Sequence, residues 1–333
     1  MFLTVVLLFT VILVIVIFHI RYPMFFFHVG PQMWSVAVGK IEGDFTSLHP
    51  QVAISYEDAQ KMSGVDYIAD PFLMKNNGVY FLFVEAAIKN FGRIDVFSSP
   101  DLQAWNFEGI ALEKGFHLSY PFVFRHKDRL YMIPEAEKSH AVTLYEAEDF
   151  PLAWKKKRQL LEGRYFDATL LEWNGNVYLF AIDRSYRLRC FFSAELTQGE
   201  FTEHPCSPLG IGDKMRPAGR PLIYNDSILF PVQSQKKGYG SEVYSLIIKF
   251  LSPSRIKYKK GKALLKPFKD EHFFSHGVHH LDMCRDGSLL VFAMDGRVGT
   301  RIRYFRGNWK KSFNNNFNDL RSAFRIFRNN YLR

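Results

Sequence analysis

The sequence predicts an all-β fold, a five-bladed β-propeller preceded by one N-terminal transmembrane helix. Three observations carry this prediction. Residues Phe2 to Phe18 form an uncharged apolar run, a hairpin pattern recurs five times, and no amphipathic helix is legible between residues 30 and 300. The chain then divides into an anchor (1–27), a propeller (28–300) and a basic, aromatic tail (301–333).

The anchor reads FLTVVLLFTVILVIVIF, without charge, Gly or Pro. At about 1.5 Å per residue, roughly 20 residues cross a hydrocarbon layer of about 30 Å. An isolated span in lipid must satisfy its own backbone hydrogen bonds, which leaves helix as its form. A cleaved signal peptide would need a basic start, a shorter core and small residues before the cut. Here no basic side chain precedes the run, and Phe25, Phe26 and Phe27 fill the cleavage zone. A single-pass, uncleaved anchor is expected. Arg21 follows the span with nothing basic before it, which tips the globular part toward the cytoplasmic side. The Asn225-Asp226-Ser227 sequon is too common a pattern to decide against a secretory-pathway orientation.

The repeats come next in the chain. The copies are DPFLMKNNGVYFLFVE (70–85), YPFVFRHKDRLYMIPE (120–135), DATLLEWNGNVYLFAID (167–183), RPAGRPLIYNDSILFPVQ (216–233) and HHLDMCRDGSLLVFAMD (279–295). Each has a polar or aromatic opener, an apolar run, a short polar turn and a second apolar run ending in a polar residue. Asn-Gly and Asp-Gly at the turns tolerate positive φ, and the flanking runs are short, aromatic and β-branched. Room for two further strands follows each hairpin, giving four strands per repeat of about 40–50 residues, the mark of a propeller blade. Trp105 and Trp154 recur at matching offsets, as residues packed between blades would. Met33–Ile41 is strand-like and could complete the last blade, closing the ring. The longer fourth interval leaves room for an insertion, placed at the basic stretch 252–269.

Charge excludes one class of function. The chain carries 43 Lys+Arg and 33 Asp+Glu, a net +10. The tail alone holds nine of the cations and one acid, Asp319, so the body is nearly neutral. A nucleic-acid reader would spread its basic residues over the body, and no nucleic-acid partner is expected. The tail, with arginines interleaved with Phe and Tyr, fits either a segment resting on anionic lipid or a solvated one. Three cysteines, Cys190, Cys206 and Cys284, lack any CxxC and argue against a disulfide framework or a zinc ribbon, though one bridge stays open. No GxSxG, P-loop, HExxH or Rossmann pattern is present, and no cofactor is expected.

In a propeller the innermost strands line the axis, so the openers Asp70, Tyr120, Asp167, Arg216 and His279 should meet near one mouth. The second-strand endings Glu85, Glu135, Asp183, Gln233 and Asp295 lie at the same end. Carboxylates crowded together raise one another's pKa, and Arg216 lowers those beside it. Such clusters occur where acid–base work is done, and equally where blade ends are tied together. In EHFFSHGVHH (271–280), Gly277 and the following strand argue against a helical metal site. No metal is expected, and His279 reads as a hydrogen-bonding or proton-shuttling group. His117 could approach the same mouth.

Taken together, ADPF, SYPFVF, MIPEA, RPAG, PVQ, YG and GVHHLD resemble the N-terminal domain of plant glucosamine inositolphosphorylceramide transferases and related bacterial proteins, some carrying a formyltransferase-like domain. The likeness runs from about Trp34 to Gly296. That family in turn looks like the five-bladed propellers of glycoside hydrolase family 43. The resemblance implies that Asp70 matches the hydrolase base. Tyr120 stands where those enzymes place a pKa-tuning Asp, and Asp167 where they place a Glu acid. The plant transferases carry glycosyl transfer in a separate domain.

The expectation is a membrane-anchored propeller that binds or processes a glycan or glycolipid head group during cell-surface polysaccharide or glycolipid synthesis. Whether it is an enzyme stays open. Asp70 would be the base, Asp167 or Glu135 the acid, and Arg216 the holder of an anionic or carbonyl group. Tyr120 would offer a flat face, and Gln233 and His279 would bond hydroxyls, with Glu85, Asp183 and Asp295 also near the substrate. A non-catalytic scaffold for a partner transferase and a glycoside hydrolase are the alternatives. The expected partners are a carbohydrate or glycolipid and a membrane.

Overall fold

Five sheets follow one another around a ring, each built by one copy of the hairpin pattern plus its flanking strands. The computed structural model describes residues 2–21, 24–29, 33–41, 48–89, 91–236, 238–299, 303–307 and 309–331. Blade one comprises Tyr67–Asn76, Val79–Ile88, Phe91–Ser99 and Asn106–Leu112, and blade two Ser119–His126, Arg129–Glu135, Ala141–Asp149 and Ala153–Glu162. Blade three has Tyr165–Trp173, Asn176–Asp183 and Arg187–Ser193, with the short strands Thr202–Glu203 and Gly210–Ile211 on its outer side. In blade four the inner strand is split into Arg216–Pro217 and Leu222–Tyr224, followed by Ser227–Ser234, Glu242–Ser252 and Arg255–Leu265.

Blade five is assembled from both ends of the ring. Leu281–Asp286 and Leu289–Arg297 are joined by Trp34–Ile41, which pairs antiparallel with the second of them, and by Gln51–Ile54. The expected closure by the N-terminal strand is therefore present. The hairpin turns use the residues that suggested them: Asn77 and Gly78, and Asn174 and Gly175, all take positive φ.

The core lies between blades. Trp154 of blade two packs edge-on against Phe83 of blade one, with ring centroids 5.8 Å apart. Trp105 is buried in a cluster with Val84, Phe97 and the blade-five residues Val36 and Ile54. Phe180 of blade three meets Phe230 of blade four at 5.2 Å. Such aromatic contacts are where most of the burial energy of a propeller resides, since each ring removes a large apolar area from water.

Several expectations need correction. The stretch 252–269 is not an insertion: Arg255–Leu265 is the regular outer strand of blade four, and the longer interval comes from two 11-residue outer strands and a loop carrying the short 3₁₀ turn His272–Phe274. Its Lys residues alternate with apolar ones because it is an edge strand with one wet face. A helix does form between residues 30 and 300, Tyr56–Ser63, started by a Ser55–Asp58 capping box and stopped by Gly64 in the left-handed conformation. It was masked by its low hydrophobicity and short length.

The N-terminal run is helical, Phe2–Arg21. Among the described residues, however, no helix is long and apolar enough to cross a membrane. The described side chains of this helix span 4–20, about 25 Å at 1.5 Å per residue against a layer of about 30 Å. The tail is structured: Arg303–Gly307 pairs with Phe25–Val29, and Trp309–Tyr331 is a helix. Arg301 and Arg333, counted among the tail cations, lie outside the described residues. All three cysteines are free.

Candidate functional site

Three of the five openers share one unusual backbone. Asp70, Tyr120 and Asp167 have φ of 49°, 44° and 50°. Each sits in a β-bulge, where pairing jumps from Ala69 to Phe72, from Ser119 to Phe122 and from Phe166 to Thr169. A non-glycine residue in this region costs about 1–3 kcal/mol. The bulge re-aims the side chain relative to regular strand alternation, which turns these three residues inward at one end of the axis.

On the blade-five side the central residue is Asp295. Its carboxylate accepts the backbone N–H groups of Asp70 (3.0 Å), His279 (3.1 Å) and His280 (3.0 Å), and pairs with Nδ1 of His279 at 2.8 Å. Burial opposes its charge, but the adjacent histidine and these donors hold Asp295 below the usual carboxylate range. His279 is the converse. Burial disfavours its charge, yet the carboxylates of Asp295 and Asp70 outweigh that and raise its pKa. Asp70 is pushed up to about 7, chiefly by burial, with the His279 charge pulling the other way and Asp295 adding to the rise. Its Oδ1 has no hydrogen-bond partner and lies 3.5 Å from Nε2 of His279 and 3.6 Å from Nδ1 of His280. His280, fully buried, is pushed down to about 4 by desolvation and is neutral.

On the opposite side Arg216 of blade four reaches across to blade three. Its Nε donates to Oδ2 of Asp167 and its Nη2 to Oδ1 at 3.1 Å. Glu135 lies 3.9 Å from the same guanidinium, and burial followed by the Asp167 charge raises its pKa well above normal. Glu85 is raised too, by burial and then by Asp70, and stands 3.6 Å from Nε2 of His117. Aromatic rings complete the surroundings. Trp34 packs on His279 with centroids 4.3 Å apart, and Tyr239 lies edge-on to His279 at 5.1 Å and 5.7 Å from the Arg216 guanidinium.

These groups border an open cavity of about 540 Å³ lined by Trp34, Tyr67, Ala69, Asp70, Glu85, His117, Ser119, Glu135, Glu137, Lys138, Phe166, Arg216, Tyr239 and His279. Every blade contributes. Below it, Arg220 bonds Asp282 (3.0 Å) and the Val123 carbonyl (2.9 Å), while Asp282 also accepts the Leu73 N–H (2.9 Å). This network ties four blades together at the axis.

Of the residues singled out by sequence, Asp70, Glu85, Glu135, Arg216 and His279 face the cavity, and His117 joins them. Asp167 lies behind Arg216, 1% exposed. Tyr120 is wholly buried: its hydroxyl meets Oγ1 of Thr169 at 2.8 Å and accepts the Gly219 N–H at 2.9 Å. Gln233 donates to the Pro217 carbonyl at 3.2 Å. Tyr120, Gln233 and Asp295 thus act on neighbouring protein groups rather than on the cavity. Asp183 stands apart. It accepts the backbone N–H groups of Ser185 and Arg187 and the side chains of Arg187 and Arg189, holding its own blade's turn.

Sequence reasoning missed Trp34, Tyr67, Phe166, Tyr239, Glu137 and Lys138. Two glycine motifs held a clue. Gly240, after Tyr239, has φ +64°, and a Cβ there would stand 2.5 Å from the Trp34 ring. Gly219, in RPAG, has φ +135° and passes so close to the Leu281 carbonyl that a Cβ would lie 2.0 Å away. Both fix the approach of blade four to blade five. Asp70, His279 and Asp295 also bring three ligand-type atoms within 4.8 Å of one another and could hold a metal ion. Since Nδ1 of His279 is already engaged by Asp295, the set is equally suited to sharing protons.

Fold and site together define a five-bladed propeller whose blade ends crowd carboxylates, two histidines and one arginine around an aromatic-walled cavity. Residues 49–296 match the family described as glucosamine inositolphosphorylceramide transferase 1, N-terminal, and the chain belongs to it. The transferase of that name from Oryza sativa subsp. japonica is 34% identical over 247 residues, covering 69% of this chain and 33% of the relative. The chain thus spans about a third of the length of the curated relatives it matches. Among solved structures, a β-1,2-mannobiose phosphorylase from Listeria innocua has a TM-score of 0.54 at 10% identity, covering 75% of this chain and 92% of that one. A family-43 α-L-arabinofuranosidase from Clostridium thermocellum has a TM-score of 0.51 at 14% identity, covering 71% and 85%. At such identities these structures bear on the fold alone.

Proposed function

We propose that this propeller binds the sugar portion of a glycan or glycolipid head group in the 540 Å³ cavity, in support of glycosyl transfer in cell-surface polysaccharide or glycolipid synthesis. One observation carries the reading: polar side chains from five blades meet beside Trp34, Tyr67, Phe166 and Tyr239 around one open space. Sugars offer hydroxyls to carboxylates and apolar ring faces to aromatic side chains, and a concave site with a few convergent polar groups is the usual form of a small-ligand pocket. Burial pushes the pKa of Asp70 up to about 7 and raises that of Glu135, which favours the protonated carboxyl that can donate as well as accept. Arg216 and Lys138 supply fixed cations. The relatives' name supports a glycolipid context.

Hydrolysis is the weaker reading. The position matching a hydrolase acid is Asp167, which is bound by Arg216 through both oxygens. An inverting acid must be free to protonate a leaving group while a second carboxylate about 6.5–9.5 Å away activates water. Attachment to a membrane is part of this proposal. Side chains from Val5 to Ile20 along the N-terminal helix are largely exposed, Leu7 and Phe9 by 65% and 69%, and such a surface calls for an apolar cover.

The test is titration calorimetry of the full chain in detergent against amino-sugar, uronic-acid, neutral hexose and inositol-phosphate glycans. Asp70→Asn, Glu85→Gln and Lys138→Ala each replace a cavity group while keeping the fold. Affinity lost in these variants without any lowering of the melting temperature supports the site. Binding that survives all three refutes it.

A further inference from the structure

The C-terminal helix, Trp309–Tyr331, packs against the end of the N-terminal helix and against the short outer strand Gly210–Ile211 of blade three. Phe18 meets Phe313 and Phe317 edge-on at 5.2 and 5.5 Å, and Nδ2 of Asn316 donates to the Phe18 carbonyl at 3.1 Å. Ser312 and Asn316 are 2% and 1% exposed and mark the inward face. Away from these contacts Trp309, Leu320 and Phe324 are between 51% and 66% exposed, and Phe317, at the edge of the contact with Phe18, is itself 51% exposed. Spacings of three and four put Phe317, Leu320 and Phe324 on one stripe. Exposed Arg321 borders it, and Lys310 lies 5.5 Å from the Trp309 ring. Over its length the helix carries five Lys/Arg and one acid, Asp319.

From this we infer that the C-terminal helix lies in the headgroup layer of an anionic membrane, with its aromatic stripe toward the acyl chains and its cations on lipid phosphates. A second copy of the chain is the poorer occupant, because pairing two stripes would bring two strongly basic helices together. An interfacial helix has this combination of large apolar side chains and bordering cations, and each Lys or Arg near an anionic surface adds to the attraction. The position fits as well, since the helix meets the N-terminal one at Phe18, where an embedded segment would emerge. The inference rests on the N-terminal helix being embedded, as proposed above.

The experiment reconstitutes the full chain, with Cys206 and Cys284 replaced by Ser, into vesicles of phosphatidylcholine with or without phosphatidylglycerol. Spin labels placed by Val11→Cys, Arg321→Cys or Phe324→Cys report collisions with oxygen and with a nickel chelate. The expected result is that Val11 is shielded from nickel in both lipids. Phe324 becomes several-fold less accessible to nickel when phosphatidylglycerol is present, Arg321 stays accessible, and Lys310→Glu with Lys311→Glu abolishes the Phe324 protection. Nickel access at Phe324 with Val11 still shielded would overturn the helix placement alone. Access at both would overturn the anchor and this inference with it. Spin–spin broadening at Phe324 independent of lipid charge would assign the stripe to a second copy.

Discussion

Blades one and three open on aspartates in the same left-handed bulge, Asp70 and Asp167, yet the two carboxylates meet different partners. Asp167 is bound through both oxygens by Arg216, a residue 49 positions later in the chain. Asp70 has one oxygen without a hydrogen-bond partner beside two histidines and is pushed up to about 7. The local sequence and backbone decide where each side chain goes. What it becomes chemically is decided by a different blade. One aspartate is fixed in an ion pair, and the other is left able to exchange a proton near neutral pH.

The most disruptive way to break this contrast is Arg216→Ala. It strands Asp167 without its cation in a buried site, and denaturant unfolding is expected to show a loss of about 3–5 kcal/mol. Replacing both partners, Arg216→Met with Asp167→Leu, should recover most of that, because the penalty comes from an unpaired buried charge. Asp70→Asn tests the other arm, first in binding: loss of the ionisable group is expected to weaken a bound glycan by about tenfold or more in calorimetry.

The same variant has a pH signature. Asp70 titrates near 3.8 in the unfolded chain and about 7 in the fold, so the folded state holds its proton longer. That group's contribution to stability falls as pH rises from about 4 through 7. Melting temperatures of Asp70→Asn and wild type should therefore diverge in favour of the variant at pH 8 and converge near pH 4. A gap that widens toward acid would contradict the assignment. The smallest effect is expected from Asp183→Asn, whose acceptors serve only the turn and the neighbouring strand of its own blade. It should cost about 1 kcal/mol in unfolding and leave glycan affinity unchanged.

Much of the fold was legible because propeller physics repeats itself along the chain. The five hairpins, their Asn-Gly turns and the closing strand at Trp34 all announce themselves through short-range chemistry. The basic strand Arg255–Leu265 was misread because an edge strand with many lysines looks like a solvated loop, and Tyr56–Ser63 because its capping box is followed by little apolar periodicity. For the site, the openers identified the neighbourhood but not the division of labour. Nothing local says that Tyr120 turns its hydroxyl to Gly219 or that Asp295 spends its acceptors on three backbone amides. Tyr239 and Trp34 were invisible for the same reason, since their meeting depends on Gly240 permitting a contact between blades four and five.

The pairing of Trp34–Ile41 with Leu289–Arg297 has a consequence for how the molecule is made. The segment that seals the circle leaves the ribosome before the other strands of the ring and finds its place last, after some 250 intervening residues have been synthesised. Until then the early blades stand as an open arc with unpaired edges. Contacts so distant in sequence slow folding and leave partly assembled states prone to wrong association. A nascent chain held by its leading end would keep that waiting strand close to the point where the last blade emerges.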